Sequence, residues 1–274
     1  MADTGPIVVD HPRVRAWLEI REALERQLEP LGAAAMAALR PAAGERVLDV
    51  GCGIGGTPAA LARAVGPGGR VVGFDLLEAA VAVMRGEPDL PANLSFACGD
   101  AQTYPFEAGT FDGVYSRFGL AFFDEPAAAF GNLRRALRPG GRLAFVSWRG
   151  LDDNELDHLP LRAAEPQLPA ELVDATAGAG WFSLADPARL RAVLAEAGFA
   201  DVAVTAHDAA VGSGSLNAMV EVCTRVGALG AILREHPRWA PGASAALEAA
   251  LRERDGPAGP QLRAATWVVT ARAG

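Results

Sequence analysis

The sequence predicts a doubly wound α/β fold, a mainly parallel sheet of seven strands with helices on both faces. Two observations carry this reading. Short β-branched and apolar runs alternate with helical patterns from residue 46 to residue 148. The runs are mostly separated by a dozen or more residues, which is the length of a crossover between parallel strands and too long for a hairpin.

The elements follow in order. Val14, Trp17, Leu18, Leu24, Leu28, Leu31, Met36 and Leu39 recur at mostly three- and four-residue spacings, a helical pattern that Pro30 and Gly32 are expected to split in two. RVLDVGCGIGGTPAALARAV (46–65) then reads as strand, glycine-rich turn and helix. RVVGFD (70–75) is the second strand, LLEAAVAVMR its helix, NLSFACGD (93–100) the third strand and FDGVYSRF (111–118) the fourth. DEPAAAFGNLRRAL (124–137) opens with acidic residues and Pro and stops at the turn RPGG, as a helix does, and GRLAFVSW (141–148) is the fifth strand. Residues 151–182 lack clear periodicity and carry several Pro, so they read as a partly helical, mobile lid. DPARLRAVLAEAGF (186–199) is a helix with Asp186 as N-cap, Pro187 at its first position and Gly198 near its end. The strand DVAVTAH, one or two helices within 215–254 and the alternating strand RAATWVVTARA complete the chain.

Composition narrows the chemistry. A chain of 274 residues buries roughly 75% of its unfolded surface, so no disulfide or metal is needed to hold its core. The net charge of −8 with scattered basic residues argues against a nucleic-acid surface. All 25 basic residues are Arg, which excludes a Lys Schiff base, Lys-anchored pyridoxal phosphate and a P-loop ending in G-K-[ST]. Cys52, Cys98 and Cys223 lie far apart and are odd in number, so neither a disulfide framework nor a zinc site is readable. The start of the sequence lacks a secretory pattern and no apolar run approaches the roughly 18 residues of a membrane span. The expectation is a cytoplasmic protein working on a small molecule, away from membranes and nucleic acids.

Gly51, Gly53 and Gly56 fit G-x-G-x-x-G between a strand and a helix, with Asp75 ending the next strand 19 residues later. Glycines let backbone approach a ligand, and the acid accepts hydrogen bonds from ribose hydroxyls, so a dinucleotide and an adenosyl ligand fit equally. Two features favour the second. Asp49 stands within the strand, where an ammonium group would pair with it and a pyrophosphate would be repelled. Gly99-Asp100-Ala101 closes the third strand, where a carboxylate and a following N–H suit the edge of an adenine.

With these residues in hand, the sequence resembles the class I S-adenosylmethionine (SAM)-dependent methyltransferases, in particular the ubiquinone/menaquinone-type and small-molecule group. The matching stretches are VLDVGCGIGG (47–56), FD (74–75), GDA (99–101), FDGVYSRFGLAFFDEP (111–126) and LRPGGRLAFVSW (137–148). The resemblance implies a Rossmann-like methyltransferase fold with a final antiparallel strand and helical lid insertions. It divides the chain into a helical cap (1–43), a SAM-binding core (44–149), a lid insertion (150–185) and the rest of the core (186–274) with a helical insertion at about 208–258. It also implies SAM as cofactor, with Asp49, Gly51 and Gly53 at its methionine end and Asp75 on the ribose. Asp100 and the Ala101 N–H would take the adenine, Leu76 its face, and Ser116 and Arg117 the methionine moiety and the substrate. Where many relatives follow the ribose acid with a small polar residue, this chain has Leu76 and Leu77.

Catalytic groups are less visible, because methyl transfer from a sulfonium rests largely on proximity and alignment and needs a base only for some acceptors. His158, among the acids of the lid, is the candidate base, beside its reading as a surface residue; His207 is the next, and His11 and His236 read as loop residues. Arg117 either orients an anionic group or serves a structural ion pair. Phe118, Trp148 and Trp181 follow strand ends or lie in insertions, which suits an apolar or aromatic acceptor. The rivals are a SAM-binding enzyme that does not methylate, such as a cyclase, and an NAD(P)-dependent oxidoreductase.

Overall fold

The computed structural model describes residues 12–174 and 180–274. His11 therefore lies outside the described residues. Two helices come first, α1 (Pro12–Glu19) and α2 (Arg21–Leu39), followed by β1 (Arg46–Val50), α3 (Thr57–Val65), β2 (Arg70–Asp75), α4 (Glu78–Arg85), β3 (Leu94–Cys98) and β4 (Phe111–Arg117). Next are α5 (Pro126–Ala136), β5 (Leu137–Trp148), α6 (Glu155–Ala164), α7 (Ala170–Asp174), α8 (Pro187–Glu196) and β6 (Phe199–Val211). Helices α9 (Leu216–Arg225), α10 (Gly227–Glu235) and α11 (Ala240–Arg252) lead to β7 (Leu262–Ala273).

The seven strands form one sheet in the order β3-β2-β1-β4-β5-β7-β6. All pairings are parallel except those of β7, which runs antiparallel between β5 and β6. The order reverses at β1, where the chain turns from building one half of the sheet to the other, and this is where a doubly wound sheet opens a crevice at its strand ends.

Strand alternation fills both faces. Val47, Tyr115 and Val146 pack on one side with α2, α3 and the α9–α11 group, through Leu31, Leu61, Met219 and Leu251. Leu48, Val114 and Phe145 point to the other side and meet α5 and α8 through Phe130, Leu133, Leu190 and Leu194. The period of two in the strands dictates this division. Helix starts obey local chemistry: the Asp186 carboxylate accepts the Ala188 N–H at 2.8 Å ahead of Pro187, and the Ser215 hydroxyl accepts the Ala218 N–H at 3.2 Å.

Two expectations need correction. The first helical pair divides at Ile20, and α2 runs unbroken through Pro30 and Gly32. Gly32 serves contact, since a Cβ there would stand 2.7 Å from Arg117 Cδ and 2.9 Å from the Tyr115 hydroxyl, which donates to the Gly32 carbonyl at 2.9 Å. Residues 216–252 form three helices. The 151–182 stretch is partly helical as expected, holding α6 and α7, and Leu161 and Ala164 of α6 are 2% and 0% exposed; residues 175–179 of that stretch lie outside the described residues.

Candidate functional site

A cavity of about 450 Å³ opens where the strands end, walled by residues that follow β1, β2, β3, β4 and β5 and by the helices laid over them. A second recess, of about 400 Å³, lies at the opposite end of the strands around Arg142 and Thr270, away from the glycine loop.

The loop after β1 forms one wall. Gly51 and Gly53 have φ of +71° and +53°, the left-handed region that glycine enters without cost. At Gly51 the reason is internal: a Cβ would lie 2.7 Å from the Cα of Gly119. At Gly53 a Cβ would meet nothing within 4 Å, so that backbone borders open space. Asp75 braces the turn, accepting the Gly53 N–H at 2.8 Å on one oxygen and the Leu77 N–H at 2.9 Å on the other. A carboxylate has about four lone-pair positions, so two are left for ligand hydroxyls.

Asp100 and Ala101 line the same space; Asp100 accepts the Gln102 N–H at 2.9 Å, and the Ala101 carbonyl is held by Asn132 Nδ2 at 2.9 Å. Leu76 is 67% exposed and Phe122 59%, both on the rim of the cavity. Large apolar side chains left open beside a polar loop provide surface for a flat ring to cover.

Arg117 and Glu25 are clamped together at the foot of the loop. Glu25 Oε1 accepts from Arg117 Nη1 at 2.9 Å and Oε2 from Nη2 at 2.7 Å. The pair lies against the glycine loop: a Cβ on Gly55 would approach Arg117 Nη2 to 2.5 Å, and the Gly56 N–H donates to Glu25. Burial pushes the Glu25 carboxyl up, but the Arg117 hydrogen bond and charge, with the Gly56 N–H, hold it below the usual range. Glu25 carried no signal in the sequence beyond its place on a polar helix face.

Several predicted residues stand elsewhere. Asp49 is fully buried and outside the cavity wall, because strand alternation turns it to the side of Val47 and α3, where the Thr57 hydroxyl donates to its Oδ2 at 2.6 Å. Its Oδ1 has no partner, and burial pushes its pKa up to about 7. Asp49 therefore stands behind the loop, off the cavity lining. Ser116 is also fully buried, donating to the Val50 carbonyl at 2.7 Å and accepting the Gly119 N–H at 3.2 Å, so it fastens the loop from beneath. His158 and His207 do not line the cavity. The acid beside the first of them, Asp157, does.

The far compartment is mainly apolar and aromatic, with Asp157 in its wall. Phe118 and Trp148 stack with centroids 4.0 Å apart and planes 10° from parallel. Phe118 holds φ at +63°, a costly conformation for an aromatic residue, and one that ligand sites accumulate. Trp181, Leu156, Pro160, Val222, Val226 and Leu229 complete the wall. Among the described residues no group of His, Cys, Asp and Glu fits a metal ion.

Residues 47–141 match the sequence profile of a methyltransferase domain. Demethylmenaquinone methyltransferase of Staphylococcus aureus is 39% identical over 103 residues, 38% of this chain and 43% of that enzyme. An uncharacterized 37.1 kDa protein in a transposon of Streptomyces fradiae is 42% identical over 103 residues, 37% of this chain and 30% of that protein. The similarity thus spans less than half the length of these relatives. A SAM-dependent methyltransferase of Aquifex aeolicus shares the fold, with a TM-score of 0.54 at 15% identity, over 97% of this chain and 100% of the other. Phosphoethanolamine N-methyltransferase 2 of Haemonchus contortus, solved with S-adenosyl-L-methionine, gives 0.58 at 18% identity, over 95% and 57%.

Proposed function

We propose that this chain, which carries the class I SAM-dependent methyltransferase core, transfers a methyl group from SAM to a small, apolar or aromatic organic acceptor. One observation carries the reading: a single cavity joins the Gly51–Gly53, Asp75 and Asp100 wall to the Phe118, Trp148 and Trp181 compartment. The first half suits a nucleoside bearing an amino acid. The second suits an acceptor.

The residues present fit such a cofactor. The open space beside Gly53 admits the methionine portion, the free lone pairs of Asp75 receive ribose hydroxyls, and Leu76 offers a surface for the adenine face. Asp100 and Ala101 border the edge that the adenine amino group and ring nitrogens would present. When bound, SAM supplies a methyl group on a sulfonium, open to in-line displacement. This chain's part is to align the acceptor and exclude water; effective molarities reach about 7–11 kcal/mol of barrier for well-oriented reactants. Arg117 and Glu25 hold the loop in shape as a positioning pair. The cysteines are unpaired, which supports work in a reducing, cytoplasmic compartment.

Calorimetric titration with SAM, S-adenosylhomocysteine and NAD, followed by a labelled-methyl assay over an acceptor panel, tests the reading. We expect binding of the two adenosyl ligands and none of NAD, with Asp75→Ala weakening S-adenosylhomocysteine by about 10- to 100-fold through loss of a charged acceptor. Binding of NAD alone overturns the cofactor assignment. Binding of SAM with no methyl transferred to any acceptor favours a non-methylating enzyme.

A further inference from the structure

We propose that Asp157 selects the acceptor, its carboxylate taking a hydrogen bond from a hydroxyl or amino group on a flat, apolar ligand held in the far compartment of the cavity. This rests on the methyltransferase reading and adds to it the chemical class of the acceptor.

Asp157 lines the cavity from α6 and is only 7% exposed. Its Oδ1 accepts the Ala228 N–H at 2.9 Å, and among the described residues no hydrogen bond reaches its Oδ2. Among the described residues no salt bridge engages it, and it shares the cavity lining with Leu156, Pro160, Val222, Val226 and Leu229, and with Arg234. A buried carboxylate with one neutral donor is unfavourable, because the charge loses its water and gains no counter-charge. Capping α10 does not call for that charge, since a neutral Asn or Ser satisfies an N-terminal amide as well. The backbone also makes room for it: Gly227 sits at φ +74°, and a Cβ there would come within 2.3 Å of Oδ1. A side chain at 227 would displace the carboxylate from the wall.

The remaining walls define the partner. The stacked Phe118–Trp148 pair and Trp181 offer aromatic faces to a planar ring, and the buried Trp181 indole N–H is itself without a partner. A ring carrying a donor satisfies Asp157 and covers the aromatic wall together, whereas a ring lacking one covers the carboxylate without giving its second oxygen a donor.

The test uses the full chain saturated with S-adenosylhomocysteine, titrated with 2-naphthol, with 2-naphthylamine and with 2-methoxynaphthalene, which has the same ring and no donor. Calorimetry reads the affinities. The wild type is expected to bind 2-naphthol or 2-naphthylamine at least about tenfold tighter than 2-methoxynaphthalene, the fold-change a hydrogen bond to a charged group supports. In Asp157→Asn, whose carbonyl keeps the Ala228 N–H and whose NH₂ replaces the free oxygen, that preference should vanish or reverse while S-adenosylhomocysteine affinity stays unchanged. Equal binding of the three probes by the wild type, no binding of any of them, or a preference that survives in Asp157→Asn overturns the proposal. The wild-type comparison stands even if the variant does not fold. Failure to bind S-adenosylhomocysteine at all would instead count against the methyltransferase reading.

Discussion

Asp49 shows how a single residue can carry a pattern while its side chain lies off the cavity lining. It sits two residues before Gly51, but its side chain is sealed between β1 and α3, with Thr57 on one oxygen and nothing on the other. Burial raises its pKa from 3.8 to about 7, so between those values the folded state holds a proton that the unfolded state has released. Stability falls as pH rises wherever the folded state binds more protons. The apo protein should therefore lose stability relative to Asp49→Asn between about pH 4 and pH 7, with the gap constant above that window. Denaturant melts of both proteins at pH 5 and pH 8 check this, and an equal gap at the two pH values would contradict it. Gly53 makes a second residue-scale point. Its open surroundings leave room for a side chain, but its φ of +53° does not suit one, so Gly53→Val is expected to lower apo stability by about 1–2 kcal/mol as well as obstruct the cavity. An apo melt identical to wild type would show the loop yielding to the valine.

Helix α2 reaches the site through one side chain. The Glu25–Arg117 pair joins it to the end of β4 and presses on Gly55 and Gly56, so the helix and the loop hold each other's geometry. Arg117→Met removes the charge while keeping most of the packing. It should cost about 1–3 kcal/mol at neutral pH, less than a fully buried pair because the Glu25 side chain is 32% exposed. The sign with pH follows from the depressed Glu25 pKa: the contribution is present above its unfolded value of 4.5 and is lost as pH falls through the folded value. The wild-type advantage should accordingly shrink in acid, and an advantage independent of pH would mean that the pair acts through packing alone. Helix α6 is tied just as firmly, for Asn154 at its start donates to the Arg149 and Gly150 carbonyls and accepts the Ala265 N–H at 2.7 Å. Its amides should exchange slowly and equally with and without S-adenosylhomocysteine, and protection that rises on binding would show a closing lid instead.

Across the whole molecule, the sheet separates two tasks. One end of the strands carries the cavity, and the far half of the sheet is locked by β7, which pairs with β5 over Arg142 to Trp148 and with β6 over Phe199 to Val211. A ligand that binds only the folded state adds stability by mass action, about 2.7 kcal/mol at a hundredfold excess over its dissociation constant. For a chain of this size that corresponds to roughly 5–10 °C in melting temperature. S-adenosylhomocysteine should raise the midpoint by that order and NAD should leave it unmoved; no shift with either would argue that the cavity is not an adenosyl site.

Local sequence determined the order of strands and crossovers, the glycine turn, and the acids that end the second and third strands. Those signals act through neighbours in the chain: β-branched runs extend, glycine admits left-handed backbone, Pro187 and Asp186 start a helix. What stands behind a residue is a different kind of fact. Pro30 and Gly32 read as a break, yet α2 continues because Leu31, Ala35 and Leu39 are fully buried against the sheet and Gly32 lets Tyr115 and Arg117 approach. His158 and Asp157 are adjacent letters in one segment, and neither chemistry nor spacing distinguishes them as cavity residues. The packing of α6 on α10 turned the carboxylate inward, because a helix advances 100° per residue and only one of two neighbours can face the same wall. Glu25 and Arg117 are 92 positions apart, and their pairing depends on where α2 crosses the end of β4. The chain's local chemistry wrote the loop that suits a cofactor, and tertiary contact alone decided which polar groups surround the space beside it.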